Sequence, residues 1–112
     1  MKIAIPVAGN VLCPHFGHCE RFAIAEVNPE QKQILNMELV DAPPHQPGLL
    51  PRWMHERGVD LVIAGGMGQK AISLFNQLGI KVLVGAMPDT PENIIQAYLN
   101  NTLQTGQNVC DH

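Results

Sequence analysis

A chain of 112 residues with 46% hydrophobic and only 4% aromatic side chains has room for one compact domain, residues 1–112, with a core of Ile, Val, Leu and Ala. Its net charge of −3, with no Lys/Arg cluster, leaves no electrostatic footprint for nucleic acid. No stretch approaches the ~20 apolar residues of a membrane span and no secretory segment is visible, so the expected location is the cytoplasm.

In chain order, residues 2–7 form a short apolar run suited to a strand covered on both faces. Pro6 cannot donate to a ladder and is expected near the strand's end or at a bulge. Residues 21–27 and 33–40 are β-compatible runs on either side of Asn28-Pro29-Glu30-Gln31-Lys32, and read as a hairpin. Leu49, Leu50, Trp53 and Met54 then share a helical face, with Pro51 in the first turn and Gly58 as a left-handed C-terminal cap. Residues 59–64 read as a strand. After Gly65-Gly66-Met67-Gly68 comes a second amphipathic helix carrying Ala71, Ile72, Leu74, Phe75 and Leu78, closed by Gly79. Residues 81–84 make the fifth strand, and Thr90-Pro91 supplies an N-cap and N1 proline for a last helix through Ile94, Ile95, Tyr98 and Leu99.

The order β-β-β-α-β-α-β-α predicts an α/β domain: a five-stranded mixed sheet of order 3-2-1-4-5 with three helices. The first three strands meander antiparallel, and the first, fourth and fifth run parallel through right-handed crossovers. Residues 8–19, 41–48, 65–68 and 85–89 then emerge on one edge, where open α/β sheets bind ligands.

That edge would carry the chain's main concentration of metal-ligating side chains. Cys13-Pro14-His15-Phe16-Gly17-His18-Cys19 places two thiols and two imidazoles within seven positions, and these are the ligands that soft and borderline metals prefer. The candidate metal ligands are therefore Cys13, His15, His18 and Cys19, with Pro14 and Gly17 shaping the backbone that aims them. The spacing is not the C-x-x-C of a structural zinc site, so a second reading keeps Cys13 and Cys19 as small buried residues. An odd cysteine count argues against stable disulfides. Gly65, Gly66, Met67 and Gly68 would let an anionic, sulfide-rich ligand approach N–H groups at a helix N-terminus. A plain strand-to-helix turn is the alternative. His45 reaches the same edge, His55 reads as a solvated helix residue, and Met37, Met54 and Met87 read as core filler. The last helix should carry Cys110 and His112 to the opposite edge unless residues after Leu103 return. The expectation for them is a frayed end.

The N-terminal apolar strand, the loop ending His15-Phe16-Gly17 before Phe22, the Gly65-Gly66-Met67-Gly68 turn opening a helix, and the closing Gly106-Gln107-Asn108-Val109-Cys110 together resemble the nitrogenase iron-molybdenum cofactor accessory family. The family holds cofactor carrier and insertion proteins, the C-terminal domain of the radical-SAM cofactor-core synthase, and small proteins of anaerobes. The resemblance implies a ribonuclease-H-like three-layer fold and binding of an iron-sulfur or molybdenum-containing sulfide cluster, with His15 as ligand or contact. Cys13, His18 and Cys19 rest on their chemistry alone. The function expected is a cluster carrier, monomer or weak homodimer, that meets a protein client or cluster donor. The alternatives are a zinc or other transition-metal regulatory protein without sulfide, and a Cys/His enzyme. Against the enzyme stands the lack of any carboxylate adjacent to the loop except Glu20, and no catalytic residue is expected.

Overall fold

In β1 (Lys2–Ala8), Ile3, Ile5 and Val7 face one side and Ala4 the other, and all four are buried. A strand apolar on both faces belongs in the middle of a covered sheet, and β1 is found there. The computed structural model describes residues 1–14, 16, 19–44 and 48–106. β1 pairs antiparallel with β3 (Arg21–Asn28), which pairs antiparallel with β4 (Gln33–Asp41). On its other side β1 pairs parallel with β5 (Leu61–Ile63), and β5 with β6 (Lys81–Leu83). The path β4-β3-β1-β5-β6 is the expected 3-2-1-4-5.

One expectation needs correction. Among the described residues the sheet has six strands, not five, because β2 (Val11–Leu12) folds back on β1 in the register Val7↔Leu12 and Ala8↔Val11. The signal was present: Gly9-Asn10 is a two-residue hairpin turn, and Gly9 adopts the required positive φ of 65°. Pro6 stands two residues before the end of β1, near the strand's end as expected, and is paired with Phe22. Its carbonyl accepts from Cys13 N–H at 2.8 Å on the side shared by β5 and β2. β5 pairs only as far as Ala4 and β2 begins at Val7, so the missing N–H falls at the seam between them, where no ladder bond is lost.

Among the described residues, three helices complete a three-layer α/β arrangement. α3 (Pro91–Leu99) lays Ile94, Ile95 and Leu99 on the face formed by Ile3, Ile5, Val7, Ala23, Leu61 and Ile63. Its start is as expected, with Pro91 in the first turn and Thr90 Oγ1 accepting from Asn93 N–H at 3.3 Å. α1 (Leu49–Glu56) and α2 (Gln69–Gln77) cover the opposite face, burying Met54 and Phe75 against Ala4, Phe22, Ile24, Val62 and Ala64. Gly58 and Gly79 close these helices at φ 77° and 80°. Among the described residues, no helix is long and apolar enough to cross a membrane.

Candidate metal-binding edge

The loop that follows β2 is fastened to the sheet edge through backbone contacts. Leu12 N–H donates to the Asp89 carbonyl at 2.9 Å, and Phe16 N–H to the Gly66 carbonyl at 3.2 Å. Between them, Pro14 lies so close to Gly65 that a Cβ there would sit 3.3 Å from Pro14 Cα and from Leu12 Cδ2. The absence of a side chain at Gly65 is what lets the loop pack down. Ala42 N–H donates to the Glu20 carbonyl at 2.9 Å, tying the segment after β4 to the loop's far end. The loops after β1, β4, β5 and β6 thus converge as the strand order predicted.

Phe16 is the loop's inward anchor. It is buried, edge-on to Phe75 with ring centroids 5.6 Å apart, and tilted against Phe22 at 5.6 Å. Such pairs contribute about 0.5–1.5 kcal/mol beyond their burial. Phe22 in turn meets Trp53 at 5.7 Å, so the aromatic contacts run from the loop to α1. The central residue of the His15-Phe16-Gly17 motif is thus a core residue by its packing.

Cys13 and Cys19 are 6% and 3% exposed and belong to this same apolar cluster. They are thiols, not a disulfide. Cys19 Sγ donates to the Phe16 carbonyl at 3.2 Å. Burial above all, together with the neighbouring Cys13 and against the lowering effect of a backbone hydrogen bond, pushes the Cys19 thiol up to about 12. A thiol held protonated is a poor nucleophile. A metal ion, by contrast, supplies the positive charge that offsets deprotonation, so such a group ligates with release of a proton.

Among the other candidates, Gly65, Gly66, Met67 and Gly68 stand at the C-terminal end of β5, as expected. Gly68 is the N-cap of α2, extended at φ −67°, ψ 152°, with open space where a Cβ would be. Met67 is buried among the aromatic and aliphatic residues beneath the loop. His55 is exposed and Met54 buried, as the pattern indicated. Met87 is not core filler: it is 68% exposed, because the chain turns outward after β6. His15, Gly17, His18 and His45 lie outside the described residues, as do Cys110 and His112. Among the described residues, no group of three or more His, Cys, Asp or Glu side chains is placed to hold a metal ion.

Residues after Leu103 do return, the course the sequence left open: Thr105 bridges Ala86, and Gly106 N–H donates to the Gly85 carbonyl at 2.7 Å. The signal that sequence reasoning missed is the pair of glycines. Gly85 has φ 85°, and any side chain there would collide with the Gly106 backbone.

A family model described as dinitrogenase iron-molybdenum cofactor matches residues 1–101. An uncharacterized protein of Methanocaldococcus jannaschii is 40% identical over 87 residues, spanning 73% of this chain and 72% of that one. Among solved structures, the crystal structure of PH0822 superposes with a TM-score of 0.86 at 29% identity, covering 94% of both chains. The apo form of the orange protein from Desulfovibrio gigas gives 0.73 at 20% identity over 96% of this chain and 93% of that one, a likeness of fold.

Proposed function

Because this chain belongs to the dinitrogenase iron-molybdenum cofactor family, we propose that it binds an iron-sulfur or molybdenum-containing sulfide cluster and carries it for cofactor assembly or delivery. The observation that supports this most directly is the convergence of four loops on one sheet edge, one of them carrying the two thiols Cys13 and Cys19 and fastened to the glycine turn through Phe16 and Gly66. Cys13, His15, His18 and Cys19 are the proposed ligands. Phe16, Gly17, His45 and the Gly65, Gly66, Met67, Gly68 turn are the proposed contacts of the cluster. The finer fold assignment, ribonuclease-H-like, goes with the same reading. A carrier has to release its cargo to a client protein, so its coordination is only partly closed and no catalytic residue is assigned. It acts as a monomer or weak homodimer in the cytoplasm.

The reading is tested by anaerobic reconstitution with iron, sulfide and molybdate, followed by metal and acid-labile sulfide analysis. A coloured, sulfide-containing product that loses its cargo in His15→Ala is the expected result. Stoichiometric zinc without sulfide would replace the cluster reading with a plain transition-metal site. A chain that takes up neither would remove both.

A further inference from the structure

The two outer strands of the sheet end differently. Beyond β6, three residues long, the chain continues into Gly85-Ala86, which Gly106 and Thr105 cover with a hydrogen bond and a bridge. On the other side β4 runs for nine residues, and among the described residues nothing pairs with its outer side. Exposed edge strands of this length commonly carry Lys or Pro, which discourage pairing with another chain. Gln33-Ile34-Leu35-Asn36-Met37-Glu38-Leu39-Val40-Asp41 has neither. Its one irregularity lies at Leu35, the extra residue between Ile34, which faces Val27, and Asn36, which faces Glu26.

β4 also presents apolar side chains to solvent. Leu35 is 58% exposed and Leu39 53%, with the half-buried Met37 between them in sequence. Met37 and Leu39 stand opposite Ala25 and Ala23, on the face that α3 leaves partly open. There Val7, Met37, Leu39 and Pro91 line a groove of about 360 Å³. The only charged side chains on β4 are carboxylates, Glu38 and Asp41, and Asp41 is engaged by Arg21 at 3.5 Å.

From this edge we propose that β4 pairs antiparallel with β4 of a second copy of the chain, about a twofold axis at Met37. The side chains select the register. Centring on Met37 sets Met37 against Met37, Leu35 against Leu39 and Asn36 against Glu38, so apolar meets apolar and the Glu38 carboxylate meets an amide that donates to it. A centre at Glu38 sets two carboxylates face to face. A centre at Asn36 sets Glu38 against Ile34, and one at Leu39 sets Asp41 against Met37. The contact is isologous and closes on itself, and it brings Leu35 of the second copy to Leu39 at the rim of the groove. Pairing over residues 35–39 engages far fewer than the roughly 20–30 residues a side of a standard interface, so the dimer is weak, with a dissociation constant on the order of 100 µM. The ladder needs no metal, so it goes beyond the cluster reading above and does not depend on it.

The experiment is sedimentation equilibrium of the metal-free full chain, with reductant and about 0.15 M salt, from about 5 to 500 µM. The average mass is expected to rise from that of one chain towards that of two. Asn36 and Glu38 are exposed, so the register can be probed without touching the core. Asn36→Asp sets a carboxylate against Glu38 twice per dimer and should raise the dissociation constant about 2- to 30-fold, while Asn36→Lys should lower it within the same range. Glu26 faces Asn36 within the chain, and urea unfolding of each variant checks that the fold is kept. Should Asn36→Asp not fold, Asn36→Lys and a cysteine pair decide. Met37→Cys treated with oxidised glutathione should give disulfide-linked dimer in excess of the wild type, since directly opposed residues have Cα atoms about 4.5–5.5 Å apart, within reach of a disulfide. Leu35→Cys should not, because its counterpart lies four residues along the ladder, about 14 Å away. A chain that stays monomeric throughout would overturn the proposal and leave the cluster reading standing. Association indifferent to the Asn36 variants and to Met37→Cys would overturn it equally, because the contact would then lie elsewhere.

Discussion

The Cys19 thiol donates to the carbonyl of Phe16 three residues earlier, at 3.2 Å, and Phe16 gives its N–H to Gly66 and its ring to Phe75. One residue thus joins the proposed ligand loop to the glycine turn and to the core beneath. A cluster that binds Cys19 has to take the sulfur from a neutral, hydrogen-bonded state, so loading involves both a proton and a small movement of the loop.

The raised Cys19 thiol makes stability depend on alkaline pH. Its ordinary value of 9.0 applies to the unfolded chain and about 12 to the folded one. Below pH 9 both states hold the proton and the group contributes no slope. Between about 9 and 12 the unfolded chain loses the proton while the folded chain keeps it, so stability falls as pH rises, by about 1.4 kcal/mol per pH unit. Urea unfolding of the wild type and of Cys19→Ala at pH 8, 9 and 10 isolates this slope from other titrating groups. Parallel curves for the two proteins would count against it.

Phe16→Ala should destabilise the apo protein by about 3–5 kcal/mol, the usual cost of removing a buried aromatic ring. Phe16→Leu keeps apolar volume and should cost less than half as much. Both lose the contacts with Phe22 and Phe75. A loss under ~1 kcal/mol in urea unfolding of Phe16→Ala would show that the loop is not anchored by this ring.

The sheet path was legible because β1 is apolar on both faces, and because caps such as Thr90-Pro91, Gly58 and Gly79 mark helix ends by local chemistry. Pro6 marked the end of the strand only coarsely, because β5 and β2 share that side of β1 and leave a seam at that residue. The thiols were found by composition, and their burial was open only as a second reading, since nothing local fixes the depth of a Cys in a Pro- and Gly-containing loop until the Phe16 anchor is placed. The return of the tail depends on Gly85 meeting Gly106. That is a contact between residues distant in sequence, and no local pattern announces it.

The two ends of the glycine turn should respond differently to a methyl group. In Gly65→Ala the new Cβ lies 3.3 Å from Pro14 backbone atoms and from Leu12 Cδ2, so the loop has to shift, at about 1–3 kcal/mol. At Gly68 nothing lies within 4 Å and the backbone is extended. There the poorer N-cap quality of Ala and the reduced freedom of the unfolded chain, each under about 1 kcal/mol, nearly cancel. Thermal unfolding of the two variants is the check. Equal losses would mean that the close approach at Gly65 does not hold the loop.

Metal should add to stability without being required for it. The two sheet faces are filled by side chains such as Ile3, Ile63, Phe22 and Phe75, whose burial owes nothing to a bound ion, so the metal-free chain is expected to unfold cooperatively in urea. Loaded protein, at free metal 100-fold above its dissociation constant, should gain about 2.7 kcal/mol, and a chelator should return it to the metal-free curve. His15→Ala should keep the metal-free midpoint while losing most of that gain, because a loop ligand contributes to binding and little to the core. If the metal-free chain were unfolded, or if His15→Ala lowered its midpoint as much as Phe16→Ala does, the loop would be part of the folding core and the site could not load and unload independently of it.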